Sequence, residues 1–484
     1  MTVPGDTDVL RTGEAGGKVI RGGVLRGGGY AAGVLLGAAT SVLLLRHLGV
    51  EDFGRYGIVI ALIGIVSAVT DAGLTAVGSR ELAILPAAER PALMRNLVGL
   101  RIGLTAAGVV AAIGFAALVG YPGVVVAGTA LAGFGILLLN TQSTLMMPLS
   151  IELRMGAITL IETLRHGLTL VGVAVLVLGG AALLPFFGVQ IVVGGIVLLL
   201  TPLLVARVAE MRPALDRATA RALLRESLPL AAALAMNVIY LRLVVILVSL
   251  GTDEVETGLF ATSFRIFEIL LGVPTLVLAV ALPLLAVAGA EDRPRLRYAL
   301  QRLTETAVAV SLLLVLVTVL LAEPAIRLLF PEFVDAAPIL QIQAFALLGV
   351  FVSQTWTLGL VALRRQRDVA IANGITLVAV IVLGVVLVGR YEGIGGAVAA
   401  VATETLLALL LFAFLARAGR DVVPNLRFLP RPLLAGAAAA LVTLLPIGPW
   451  VAAPLAAAVF VAVAFAVGAV PGEVLTALRR RDGA

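Results

Sequence analysis

The chain has no cysteine, so disulfides, thiolate metal sites and cysteine nucleophiles are all closed to it. It has only two histidines, His47 and His166, too few for a multi-histidine metal site. Lysine is nearly missing too: Lys18 is the only one, and every other base is arginine. Charge itself is scarce, at 13% of 484 residues, where a soluble domain carries roughly 25%. Such a chain cannot clothe itself in a polar surface. No Walker-type glycine loop is present, and no acidic cluster has the look of a glycosyltransferase metal site, so neither ATP hydrolysis, an enzyme activity nor a cofactor is expected.

Apolar residues fill the gap. They make up 61% of the sequence, and the mean hydropathy is +1.11. They fall in blocks of about twenty, the length that crosses a hydrocarbon core of roughly 30 Å. The reading is an all-α polytopic membrane protein of about fourteen spans: 28–45, 56–78, 97–119, 122–143, 157–179, 183–206, 228–250, 258–285, 304–322, 338–361, 369–389, 394–416, 432–448 and 450–470. Residues 1–27 read as a disordered cytoplasmic tail, too polar for a signal peptide, and 471–484 as a second cytoplasmic tail.

Loop charge tests this count. With the N-terminus inside, the cytoplasmic segments hold twenty-seven bases and the outer loops four, Arg46, Arg55, Arg327 and Arg390. A miscounted helix would scramble every later loop, so the alternation supports fourteen spans and two cytoplasmic termini. The same distribution explains the net charge of +6 by orientation in a membrane, with no nucleic acid. Outer loops are too short for a catalytic domain. The basic connection 207–227 divides an N-lobe, 28–206, from a C-lobe, 228–416, and the pair 432–470 stands outside both. That connection either lies along the cytoplasmic interface or serves topology alone.

The lobes echo each other. LGVEDFGRYGIVIALIGIVSAVTDAGL (48–74) and LGTDEVETGLFATSFRIFEILLGVPTL (250–276) each begin Leu-Gly, pass an acidic turn, and reach a Gly–x–aromatic step at Gly54–Tyr56 and Gly258–Phe260. Six spans separate the copies, so the repeat is parallel, a plan common among transporters.

The stretch 48–83 resembles the opening repeat of the polysaccharide flippase family, through Glu51 to Tyr56, Asp71 to Leu74 and Arg80-Glu81. AIRLLFPEFVDAAPILQIQAF (325–345), LRRQRD (363–368), Asn373 and YEGIGGAVAA (391–400) are similar to it as well. That family sits in the multidrug/oligosaccharidyl-lipid/polysaccharide exporter superfamily with lipid II flippases and multidrug antiporters. The resemblance implies two six-helix lobes working by alternating access in a bacterial cytoplasmic membrane. It implies a lipid-linked glycan on a polyprenyl diphosphate as cargo, membrane lipids and glycan-assembly proteins as partners, and H+ or Na+ as a coupling ion. It also implies that spans one, two, seven and eight line the passage, and that spans thirteen and fourteen form a groove for the lipid tail.

Charges at membrane depth usually face a cavity or a partner. Arg242 lies about fourteen residues, roughly 21 Å, into span seven, and Arg265 lies near the outer end of span eight with Glu268 at i+3. Arginine offers phosphate oxygens a planar fork of donors, so Arg242 and Arg265, with Arg46 or Arg55, are the candidate diphosphate ligands. The plainer alternative pairs Arg265 with Glu268 and leaves Arg46 and Arg55 solvated. Glu162, Arg165 and His166 share one face of span five, as a relay or as a self-neutralising polar face. Asp71 is an ion site or a cap before Gly73, Glu404 an ion site or the partner of a base on another helix. Arg101 is expected to snorkel to the cytoplasm. Gly272, Pro274 and Pro283 permit bends in span eight. The rival readings are an antiporter for cationic drugs, which needs an acidic cavity, and a membrane glycan polymerase or ligase, which needs a large outer loop.

Overall fold

A computed structural model describes residues 13–469 apart from 72, 87, 153, 206–211, 273–291 and 420. The first twelve residues, the C-terminal tail and the prolines of span eight lie outside the described residues. Among those described, all regular structure is helical, as apolar segments in lipid require, since a helix satisfies every backbone N–H and C=O internally.

The helices are α1 (Gly13–Asp71), α2 (Leu74–Ile84), α3 (Arg90–Val119), α4 (Gly123–Leu145), α5 (Met147–Ile151), α6 (Met155–Leu178) and α7 (Leu183–Leu204). They continue as α8 (Arg217–Gly251), α9 (Glu254–Leu270), α10 (Arg293–Leu329), α11 (Ala336–Ala344), α12 (Ala346–Ala362), α13 (Gln366–Ala418), α14 (Pro430–Ala440) and α15 (Pro449–Ala466). Two of them are pairs of spans joined at a break. In α1 the break is Gly49, with φ 70°, a conformation that glycine adopts without a Cβ penalty. In α13 it is Glu392, with φ 52°, and the turn is closed by Gly393 N–H donating to Glu256 Oε1 at 2.9 Å. Burial pushes the Glu256 carboxyl above its ordinary pKa, while that amide opposes the shift.

Among the described residues, ten helices are long and apolar enough to cross a membrane, and Ala235–Gly251 is a shorter apolar one. With the broken pairs counted double, every expected span but the eighth has an apolar helical counterpart. The eighth is described only to Gly272, so the total of fourteen rests there on sequence.

The fold divides into two compact units. One holds the chain up to Leu43 together with Thr70–Tyr121 and Val126–Leu228. Its core joins Leu74 and Leu82 of α2, Met94 and Leu97 of α3, Met147 of α5 and Leu223 of α8. Small residues let its helices approach closely: a Cβ on Gly128 would lie 2.5 Å from Phe187, and one on Gly135 2.6 Å from Gln190. The basic segment before α8 is tied to α3. Ala214 N–H donates to Arg95 O at 3.1 Å, and Asp216 N–H donates to the Asn96 side chain at 2.7 Å. Asp216 then caps the helix, accepting from the Thr219 hydroxyl at 2.7 Å and from Thr219 N–H at 2.8 Å, and these bonds hold its carboxyl below the usual range. From Arg217 the basic segment is continuous with span seven as one helix.

The second unit holds Leu44–Val69, Pro122–Val125 and the chain from Pro229. Here the two repeat-related glycines meet. A Cβ on Gly54 would fall 2.7 Å from Glu254 O and 2.9 Å from Gly258 N, and one on Gly258 2.0 Å from Val50 O. The start of span two therefore runs against α9 backbone to backbone. Phe53 continues the seam, its ring edge-on to Phe333 at 6.0 Å. Ser263 Oγ donates to Gln343 at 2.5 Å, and Trp356 Nε1 to Thr304 Oγ1 at 3.2 Å, joining helices through buried polar groups.

The terminal helices α14 and α15 pack alanines and Phe460 against Leu312, Leu316 and Leu320 of α10. The connection into them is clamped at its other edge. Arg293 donates to both carboxylate oxygens of Asp421 at 3.0 and 3.2 Å, which holds that carboxyl below the usual range. Gln301 and the Asn425 backbone exchange two hydrogen bonds, at 2.6 and 3.1 Å.

Replacing Gly258 by alanine forces atoms into Val50 O, so the Gly258→Ala protein is expected to lose about 1–3 kcal/mol or more. Thermal unfolding in detergent reads this. Gly103→Ala, where a Cβ meets nothing within 4 Å, should leave the melting temperature unchanged or raised.

Candidate functional site

Three elements of the second unit converge on one carboxylate. Helix α8 brings Arg242, and α9 brings Arg265 and Glu268 one turn apart. Arg242 Nη2 lies 2.6 Å from one Glu268 oxygen, and Arg265 Nη1 lies 3.2 Å from the other. The span-two part of α1 supplies Gly64, where a Cβ would stand 2.4 Å from Arg242 Nε and 2.6 Å from its Cδ. The absent side chain is what lets the Arg242 shaft cross that helix. Tyr56, half-buried on α1, lies within electrostatic reach of Arg265 and Glu268.

The arrangement is a fork of two guanidiniums bridged by one acid, with net charge +1. Its members are neither sealed nor bare: the side chains of Arg242, Arg265 and Glu268 are 21%, 37% and 18% exposed. Apart from Glu268, Arg242 has no protein partner among the described residues for its five N–H donors. Such a group can take phosphate oxygens in the bidentate manner of arginine.

Arg46 and Arg55 are not brought to this fork. Arg46 Nε donates to Leu329 O at 2.9 Å and so caps the end of α10. Arg55 pairs with Asp52 at 2.8 Å and with Glu254. Glu254 holds its guanidinium above its ordinary pKa.

The remaining candidates fall into separate clusters. In the first unit, Arg165 and His166 side chains are 3.5 Å apart on α6, while Glu162 is exposed. Gly33 of α1 faces the ring, a Cβ there lying 3.0 Å from His166. Asp71 accepts from Thr75 Oγ1 at 2.6 Å and pairs with Arg101. Gly73, at φ 81°, breaks the helix just beyond.

Arg101 does not snorkel. Its side chain is 2% exposed and donates to Thr70 O at 2.7 Å, one residue before the end of α1. Thr70, Thr105 and Asn140 extend this polar core. In the second unit Glu404 meets a hydroxyl and not a base. Tyr240 O–H donates to Oε1 at 2.8 Å, and Asn237 donates to Tyr240 at 3.0 Å. Glu404 is 1% exposed, and its Oε2 has no hydrogen-bond partner among the described residues. It borders a small cavity with Tyr240, Phe264, Phe267 and Thr403.

Sequence reasoning missed Gly64 and Tyr240. Each lies far along the chain from the charge it meets, Gly64 from Arg242 and Tyr240 from Glu404, so no local pattern marks it before the helices pack.

The long apolar helices are those of a multi-pass membrane protein. The chain belongs to the polysaccharide biosynthesis protein family, whose model matches residues 20–288. Solved structures place the fold beside flippases and drug exporters. An inward-closed lipid II flippase MurJ superposes with TM-score 0.74 at 12% identity, covering 92% of this chain and 98% of that one. An inward-facing multidrug resistance transporter of the MATE family gives 0.61 at 15% identity, over 79% of this chain and 93% of that one. A transporter of the same superfamily from Pyrococcus furiosus, described as having a binding pocket of reverse polarity, gives 0.56 at 16% identity, over 86% and 98%. No curated protein sequence matches the chain.

Removing the Asp71 carboxylate leaves a buried guanidinium with the Thr70 carbonyl alone. Asp71→Ala is expected to cost about 1–3 kcal/mol, read as a lower melting temperature, and an Arg101→Leu, Asp71→Ala double variant should recover part of the loss.

Proposed function

We propose that the chain is a flippase for a polyprenyl-diphosphate-linked oligosaccharide, working by alternating access in the cytoplasmic membrane of a bacterium, with both termini in the cytoplasm. The observation that supports it most is the Arg242–Glu268–Arg265 fork. A drug antiporter for cations would place acids at that depth, whereas here two bases surround one acid. The head group passes on the guanidiniums while the tail stays in lipid, and α14–α15 offer the tail an apolar face. Arg46 and Arg55 shape the outer edge through α10 and α9 and act on the cargo only through those helices. Family membership and the flippase fold support the same reading.

Glu404 serves as the coupling site in this reading, and the ion is a proton. A sodium ion would need several oxygens, whereas Glu404 has one hydroxyl partner and one bare oxygen in a space about the size of a water. In the other unit, His166 faces Gly33 of α1 and forms, with Arg165 and with Glu162 at its exposed edge, a second candidate relay.

A second reading, a lipid II flippase, is favoured by the MurJ-like fold. Deleting the gene separates the two: loss of a surface glycan from growing cells supports the first, and arrest of cell-wall synthesis the second.

Arg242→Ala at normal protein abundance is expected to lower glycan export at least tenfold, and Gly64→Ala, which displaces the same side chain, to lower it in part. Full export by Arg242→Ala cells removes the arginine reading. Glu404→Gln should make transport into vesicles insensitive to an imposed pH gradient. Retained sensitivity would move the coupling site elsewhere.

A further inference from the structure

Glu268 does more than neutralise a charge. Each of its oxygens takes one guanidinium, Arg242 at 2.6 Å and Arg265 at 3.2 Å, so it bridges the fork as a bidentate anion would. It reaches the pair from α9 itself, one turn from Arg265, while Arg242 arrives from α8 across the bare face of Gly64. Arg55, the nearest base along α1, is engaged by Asp52 and Glu254. No other carboxylate bridges this fork among the described residues.

We propose that Glu268 is an exchangeable internal anion: it occupies the seat of the cargo's diphosphate when the site is empty and returns to it to expel the cargo. The proposal rests on the reading of the fork as the diphosphate site. An arginine pair left alone at membrane depth is costly, and Glu268 removes that cost in the empty protein. A diphosphate carries more charge than one carboxylate and offers more oxygens, so it displaces Glu268 from both arginines. The displaced carboxylate is then unpaired next to the bound anion. That repulsion holds affinity low enough for release on the far side. The side-chain length matters: a carboxylate one methylene shorter spans the two guanidiniums less well.

The test is binding of farnesyl diphosphate, with inorganic pyrophosphate as the tail-free probe, to the purified full-length protein in detergent. Glu268→Gln is expected to bind farnesyl diphosphate at least about fivefold more tightly than the unaltered protein, with Glu268→Asp between them. In cells, Glu268→Gln should export less glycan at equal abundance, because release slows. An ordinary structural counter-ion would behave in the opposite way, with weaker binding and a lower melting temperature. Equal or weaker binding by a Glu268→Gln protein that melts like the unaltered one overturns the proposal. If the Gln protein does not fold, equal or weaker binding by Glu268→Asp does so. Arg242→Ala combined with Arg265→Ala keeps the two readings apart. If that double variant loses binding while Glu268→Gln gains none, the diphosphate site stands and the exchange fails. If the double variant still binds, or no protein binds, both fall.

Discussion

Among the described residues, Arg242, Arg101 and Glu404 each meet a polar group brought by another helix, and that requirement arranges the rest. A guanidinium at bilayer depth costs about 2.5–3.5 kcal/mol on insertion scales. Arg242 answers it with Glu268 and Arg101 with Asp71. Glu404 answers it with a hydroxyl. Each solution uses two segments distant in sequence, so the polar groups fix which helices are neighbours. Apolar packing alone would specify this weakly, because lipid tails are as apolar as leucine.

Close backbone approach is the complement of that constraint. Gly54 against Gly258, Gly57 against Ala261 and Gly64 under Arg242 lie along one stretch of α1. The first two bring span two hard against α9. The third leaves a channel through which an arginine of α8 reaches the acid of α9. Adding methyl groups along this stretch would separate the helices whose charges must meet. Tyr240 and Arg242 lie two residues apart and point to opposite sides of α8, so one helix carries the fork on one flank and the Glu404 cluster on the other.

The sequence made the architecture legible because its signals are local. Span length, loop arginines and the breaks near Gly49 and Glu392 all follow from composition over a score of residues. The Arg265–Glu268 pair was legible for the same reason, being one turn apart. Arg242 joining them was not, because nothing in a linear string shows that α8 crosses Gly64. Arg101 was misread as a snorkelling residue on its distance from the span end. Its burial follows from the helix break at Gly73, which turns the Thr70 carbonyl and Asp71 toward α3. The partner of Glu404 is likewise 164 residues away. The internal repeat was faint as a sequence echo, yet its two glycines turn out to touch.

The clamp of Arg293, Asp421, Gln301 and Asn425 acquires a meaning from the surroundings of α14 and α15. Leucines on α10 lose nothing by facing acyl chains, so apolar burial alone gives the terminal hairpin little reason to stay docked in a bilayer. Its mooring is polar and sits at one rim, where water and salt reach it. A tether of that kind fixes the hairpin by charge at one rim, while close packing of alanines and Phe460 against α10 holds the rest of its length.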